Sequence, residues 1–249
     1  MEITIEAWRQ ATGETAGAFA TYRVTGVTPE MSLLEVLDLL NEQLVAAGEP
    51  AIAFDSDCRE GICGACGVTV DGRPHGPVPN TPSCMQHVNQ LPDPTRLRLE
   101  PLRANAFPVV CDLAVDRAAL DRVIEAGGYV DVKTGQATDA DAMLIPHEVA
   151  ENALDFAGCI GCGACVAACP NGAAHLFAGA KLLHLDRLSY GRQERGLRAR
   201  AITGQLDHDF GPCSTFGECA QVCPADIDLA AVAAVNREAV RAAFRRKPD

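Results

Sequence analysis

Apolar and polar residues alternate at the start of the chain, with Ile3, Ile5 and Ala7 interleaved with Glu2, Thr4 and Glu6. A period of two predicts a β-strand with one buried face. A second strand is predicted over 19–24, after a Gly/Thr-rich turn. The period then lengthens: Leu33, Leu37, Leu40 and Leu44 fall on one helical face. Ser32 and Glu35 form a capping box at its start, and Gly48 suits its C-terminal end. Short strands are predicted over 51–54, 68–70 (turning on Asp71-Gly72) and 96–99. From about Asp116 the alternation stops, and helices are predicted over 118–126, 181–188 and 228–244, with a polar loop over 127–146. The pattern predicts an α+β chain of two domains, 1–105 with strands around one helix and 106–249 all-α.

The bulk numbers change this picture little. A formal charge of −12 argues against nucleic acid as a partner, because a phosphate backbone rewards a basic face. The N-terminus carries no basic-then-apolar leader, and no apolar run reaches bilayer length, so a cytosolic chain, or one docked on something else, is expected.

The 12 cysteines do change it. In such a chain, tightly spaced cysteines read as metal ligands rather than disulfides. Cys58, Cys63 and Cys66, followed by Cys84, have the C-x4-C-x2-C…C spacing of a plant-type [2Fe–2S] site. Gly61, Gly64 and Gly67 are expected to let that loop bring N–H donors towards sulfur. A structural zinc site would instead pair two CxxC knuckles.

The second constellation is Cys159-x2-Cys162-x2-Cys165-x3-Cys169-Pro170, a bacterial ferredoxin run whose fourth cysteine serves the other cluster. The third is Cys213-x5-Cys219-x3-Cys223-Pro224, matching the second except that Phe216 stands where a cysteine belongs. Crossing the runs assigns Cys159, Cys162, Cys165 and Cys223 to a [4Fe–4S] cluster. It leaves Cys169, Cys213 and Cys219 for a site short of one thiolate, where a [3Fe–4S] cluster is expected with the Phe216 ring closing the fourth corner. The alternatives are a four-iron cluster with an open iron and a degraded, empty site. Cys111 fits no run and reads as a small buried hydrophobe.

Together these motifs resemble the iron–sulfur subunit of succinate dehydrogenases and fumarate reductases, over nearly the whole chain. Its most specific parts are the Asp57-Cys58-Arg59-Glu60-Gly61-Ile62-Cys63-Gly64-Ala65-Cys66-Gly67 stretch and the cysteine missing at Phe216. The resemblance implies a β-grasp ferredoxin domain followed by an α-helical ferredoxin domain. It also implies electron relay from the FAD of a flavoprotein subunit through the three clusters to a membrane quinone. The chain would lie on the cytoplasmic face of the membrane, held by an anchor subunit, and would itself do no succinate chemistry.

Many ubiquinone-linked members carry a tryptophan pair just after Cys169-Pro170. Here Asn171 to His175 contain none, and the lone tryptophan is Trp8. That departure points to menaquinone and a haem b-bearing anchor. The same architecture run as a fumarate reductase, and a soluble multi-cluster carrier with no quinone role, are the rival readings. His175 and His184 are candidates for approaching a quinone, and Arg237 for a basic group near the three-iron site, although such lone residues more often serve packing or solvation. The basic tail at 245–247 is too short to serve as a lipid anchor.

Overall fold

The computed structural model describes residues 1–130, 144–187 and 192–244. Strand β1 (Ile3–Arg9) buries Ile3, Ile5 and Ala7, as its alternation predicts. It pairs antiparallel with β2 (Ala18–Val24). Helix α1 (Leu33–Ala46) lays Leu33, Val36, Leu37, Leu40 and Leu44 into the sheet core. Both halves of its capping box form: the Ser32 N–H donates to Glu35 Oε2 at 2.7 Å, and the Glu35 N–H to Ser32 Oγ at 3.4 Å. At the other end, Gly48 N–H donates to Val45 O and Glu49 N–H to Leu44 O, a Schellman closure. Replacing Ser32 with Ala should lower unfolding stability by about 1 kcal/mol, read as a shifted denaturation midpoint with an unchanged slope.

Strands β3 (Val68–Val70) and β4 (Arg73–Pro74) form the expected hairpin, with Asp71 and Gly72 both at positive φ. Strand β5 (Arg96–Pro101) lies between β1, parallel to it, and β3, antiparallel to it, giving the order β2-β1-β5-β3-β4.

Residues 51–54 form no strand, contrary to expectation. Their backbone groups bond to side chains and to one remote backbone amide instead of a ladder. Asn41 brackets Ile52, accepting from its N–H at 2.7 Å and donating to its carbonyl at 2.9 Å. Asp112 Oδ2 accepts from Ala53 N–H, and Leu113 N–H donates to Ala53 O.

The chain then crosses from one core to the other. Leu102 and Phe107 pack into the helical core, whereas Leu113 returns to the sheet core. A two-stranded ribbon, β6 (Val109–Cys111) and β7 (Ala114–Val115), carries Cys111, which is half-buried rather than interior.

Helix α2 (Ala118–Val123) runs on into a wider π-turn over Ile124–Gly128. Of the loop predicted over 127–146, residues 131–143 lie outside the described residues, as do Leu188 and the 245–247 tail. Helices α3 (His147–Ala157) and α4 (Ala164–Ala168) are followed by α5 (His175–Arg187), which begins six residues before its predicted start. Next come α6 (Arg192–Asp209), which no periodicity announced, the short α7 (Glu218–Gln221) and α8 (Ala230–Ala243). Gly179 of α5 sits so close to α8 that a Cβ there would lie 1.9 Å from the Ala231 carbonyl oxygen. Each of these helices follows a cysteine run, so their close packing draws the two runs together.

Candidate functional site

The first cysteine set is built on the loop between α1 and β3. Cys58, Cys63 and Cys66 lie along it, and Cys84 faces them from a 3-10 turn at Ser83–Met85. The N–H groups of Glu60, Ile62 and Cys63 all donate to Cys58 Sγ at 3.3–3.4 Å, and that of Ala65 to Cys63 Sγ at 3.4 Å. These backbone donors bring the Cys58 thiol down to about 7. Gly61 and Gly64 have φ of +75° and +70°, the freedom the sequence required of them. Gly67 does not; its role is close packing, since a Cβ there would meet Leu102 Cδ2 at 2.8 Å.

The other two thiols are buried beside Leu34 and Phe54. Burial, together with Cys84 as a neighbour, pushes Cys66 up to about 12. The set thus has an outer pair cradled by N–H donors and an inner pair in an apolar wall.

Behind Cys84, the wholly buried His75 accepts at Nδ1 from Ser83 N–H at 3.2 Å, with Ser83 Oγ 3.0 Å away. That network assigns the proton to Nε2, and burial lowers the imidazole to about 4, so the ring is neutral. Sequence reading had given His75 no role.

In the helical unit, Cys159, Cys162, Cys165 and Cys223 line one narrow cavity, walled by Ile160, Leu176, Phe177 and Ile227. Burial pushes Cys162 up to about 12 and Cys165 well above its ordinary value, with the neighbouring cysteines adding to both shifts. Four thiolates in such a place would be costly unless a cationic centre offset their charge.

Cys169, Cys213 and Cys219 line a second cavity of about 230 Å³, together with Phe216 and His175. Burial raises Cys219, and the charges of Cys169 and Cys213 add to it. Phe216 borders this cavity but is 59% exposed, so the ring stands at the rim and does not seal the corner as expected. The Nδ1 of His175 is buried and unpartnered, and burial lowers its pKa. His184 lines neither cavity. Arg237 pairs with the buried Glu238, Nε to Oε1 3.4 Å, and lies along neither cavity. Among the described residues, no three His, Cys, Asp or Glu side chains are gathered as ligands of a single metal ion would be.

The loops of the first two sets touch. A Cβ on Gly64 would lie 2.3 Å from Ile160 O and 3.0 Å from Cys162 N. Arg117, at the start of α2, donates from Nη1 to both Gly64 O and Cys162 O, the latter at 3.0 Å.

The 2Fe-2S iron-sulfur cluster binding domain family matches residues 3–122, and the 4Fe-4S dicluster domain family matches residues 158–227. The chain is 29% identical over 201 residues to the succinate dehydrogenase iron-sulfur subunit of Bacillus subtilis, covering 78% of this chain and 74% of that protein. It is 30% identical over 203 residues to the fumarate reductase iron-sulfur subunit of Escherichia coli O6:H1, covering 80% of this chain and 77% of that one. The chain belongs to the iron–sulfur subunits of the succinate dehydrogenase and fumarate reductase family.

As a member of that family it is an electron-transfer subunit of an oxidoreductase. Its fold, a mixed sheet grasping one helix followed by a helical unit, is that of a [2Fe–2S] ferredoxin domain joined to a helical ferredoxin domain. A chain of the Mycobacterium smegmatis Sdh1 complex in the apo form superposes with a TM-score of 0.67 at 21% identity, over 96% of each chain, and supports that fold. Among the described residues, no helix is long and apolar enough to cross a membrane.

Proposed function

We propose that this chain is the iron–sulfur subunit of a succinate:quinone oxidoreductase, carrying electrons from the FAD of a flavoprotein subunit to a membrane quinone. On this reading the domains divide near residue 105. Cys58, Cys63, Cys66 and Cys84 hold a [2Fe–2S] cluster; Cys159, Cys162, Cys165 and Cys223 a [4Fe–4S] cluster; Cys169, Cys213 and Cys219 a [3Fe–4S] cluster. Bound clusters supply reversible one-electron storage.

The chain's own contribution is positional and electrostatic. Its thiolates fix where each cluster sits. The N–H donors on Cys58 and Cys63 favour the more negative state of the first site, and the apolar walls around Cys162 and Cys165 exclude water from the second. Phe216 and the uncharged His175 border the third, where a quinone held by an anchor subunit would approach.

One observation carries the proposal. The two cavities of the helical unit take cysteines from both runs in crossed sets, four in one and three in the other. The absence of tryptophan after Pro170 favours menaquinone and a haem b-bearing anchor on the cytoplasmic face. Near-equal identity to a succinate dehydrogenase and a fumarate reductase subunit gives the reverse direction equal standing, and assays with succinate and with fumarate plus quinol separate the two.

The deciding experiment is low-temperature EPR of the native complex, oxidised and then reduced stepwise. We expect a near-isotropic signal in the oxidised state that disappears on mild reduction, followed at lower potential by signals from two further clusters. An EPR-silent oxidised sample showing only two- and four-iron signals on reduction would favour a soluble carrier.

A further inference from the structure

Between the first two cysteine sets lies a groove of about 390 Å³ lined by Cys63, Cys159, Arg117, Lys181, Ile160 and Phe177. Arg117 reaches across it. One guanidinium nitrogen donates to the carbonyls of Gly64 and Cys162, and the other to that of Ala65 at 3.4 Å. Gly64 and Ala65 separate Cys63 from Cys66, while Cys162 is itself in the second set. A planar fork with several fixed donors is suited to tying two backbones at one spacing, which a flexible ammonium is not.

The charge is notable as well as the geometry. Asp121 also lines the groove, but the hydrogen bonds of the Arg117 guanidinium run to the carbonyl oxygens of Gly64, Cys162 and Ala65. With its donors spent on neutral carbonyls, the half-buried cation keeps its charge beside the two sites. Lys181, also lining the groove, donates to Cys159 O at 3.2 Å and, among the described residues, makes no hydrogen bond to the first loop.

We propose that Arg117 is a positioning residue for electron transfer. It locks the Gly64-Ala65 and Cys162 loops at a fixed separation and biases both sites towards the reduced state. Were both sites loaded as proposed, the loops that Arg117 ties together would set the separation across which one electron, supplied by a reduced flavin or in the test by dithionite, would oxidise the first cluster as it reduces the second. This rests on the ligand sets proposed above.

The test compares wild type, Arg117→Gln, Arg117→Lys and Lys181→Gln in the intact complex. It records iron and sulfide content, the midpoint potentials of the two sites, and the magnetic splitting between them when both are reduced. In Arg117→Gln we expect both clusters to be retained, both potentials to fall, the splitting to weaken, and oxidation of the two-iron site by the four-iron site to slow about tenfold. Arg117→Lys should recover most of the potential shift but not the splitting, because it restores the charge without the fork. Lys181→Gln should leave the splitting unchanged.

Unchanged potentials and splitting in Arg117→Gln would overturn the proposal, as would an equal loss of splitting in Lys181→Gln. Cluster loss from both Arg117 variants would leave the residue a purely structural role and also overturn it. Wild type lacking separate two-iron and four-iron signals would instead sink the ligand sets themselves.

Discussion

If the third cysteine set holds the proposed [3Fe–4S] cluster, replacing Phe216 with Cys should abolish its near-isotropic oxidised-state signal and raise the iron content by one atom per chain. Position 216 is where the ferredoxin spacing places a cysteine after Cys213, and its side chain already borders the cavity that Cys169, Cys213 and Cys219 line. A thiolate there would complete a four-ligand set, and the centre should then take up its electron at lower potential. Quinone reduction should slow by about 10–100-fold, the range seen when the immediate partners of a metal site are altered. Iron analysis and EPR read the outcome directly. Persistence of the oxidised-state signal in a folded, loaded variant would mean that residue 216 does not address the open corner. The 59% exposure of the ring makes the exchange feasible, because removing it leaves no buried void.

The second large effect is expected at Gly64. Alanine there must adopt φ near +70°, at about 1–2 kcal/mol. Its Cβ would also collide with Ile160 O at 2.3 Å and Cys162 N at 3.0 Å, backbone atoms that move only if the loops part, at about 1–3 kcal/mol more. We expect a total loss of about 2–5 kcal/mol, seen as a lower unfolding temperature and faster proteolysis between the two units. Gly72→Ala is the control. Its φ is +79°, but nothing lies within 4 Å of the added carbon, so it should show only the conformational part. Equal losses at the two positions would mean that the contact between the loops carries no stability.

The grouping of the helical unit's cysteines around two cavities was legible because each run carries its thiols over a few residues, and a known spacing limits how the runs can cross. The first strand and α1 were legible for a similar reason, since one period and one cap suffice to define each. Residues 51–54 misled because a short apolar run looks the same whether its backbone pairs with a strand or, as here, with Asn41 and Asp112. Helix α6 was missed because only Ala199, Ile202 and Leu206 mark its core face among many charged positions. Arg117 gave no signal at all. Its partners are carbonyl oxygens 45 to 53 residues away, and backbone atoms leave no mark on side-chain pattern. Likewise nothing in the sequence marks His75 before the fold encloses it with Ser83.

The crossed cysteine sets also govern the order in which the chain can mature during synthesis. Every ligand proposed for the first site has been made by Cys84, and strand β5, which completes the central sheet, by Pro101. A nascent chain can therefore assemble that unit while the remainder is still on the ribosome. Neither helical site has this option: each waits for the segment from Cys213 to Cys223, and for α8 to close on α5 behind it. Completion of both helical sets is thus tied to synthesis of the chain through Cys223 and α8, and a stop codon between Pro101 and Cys213 would leave a product able to complete the first set alone.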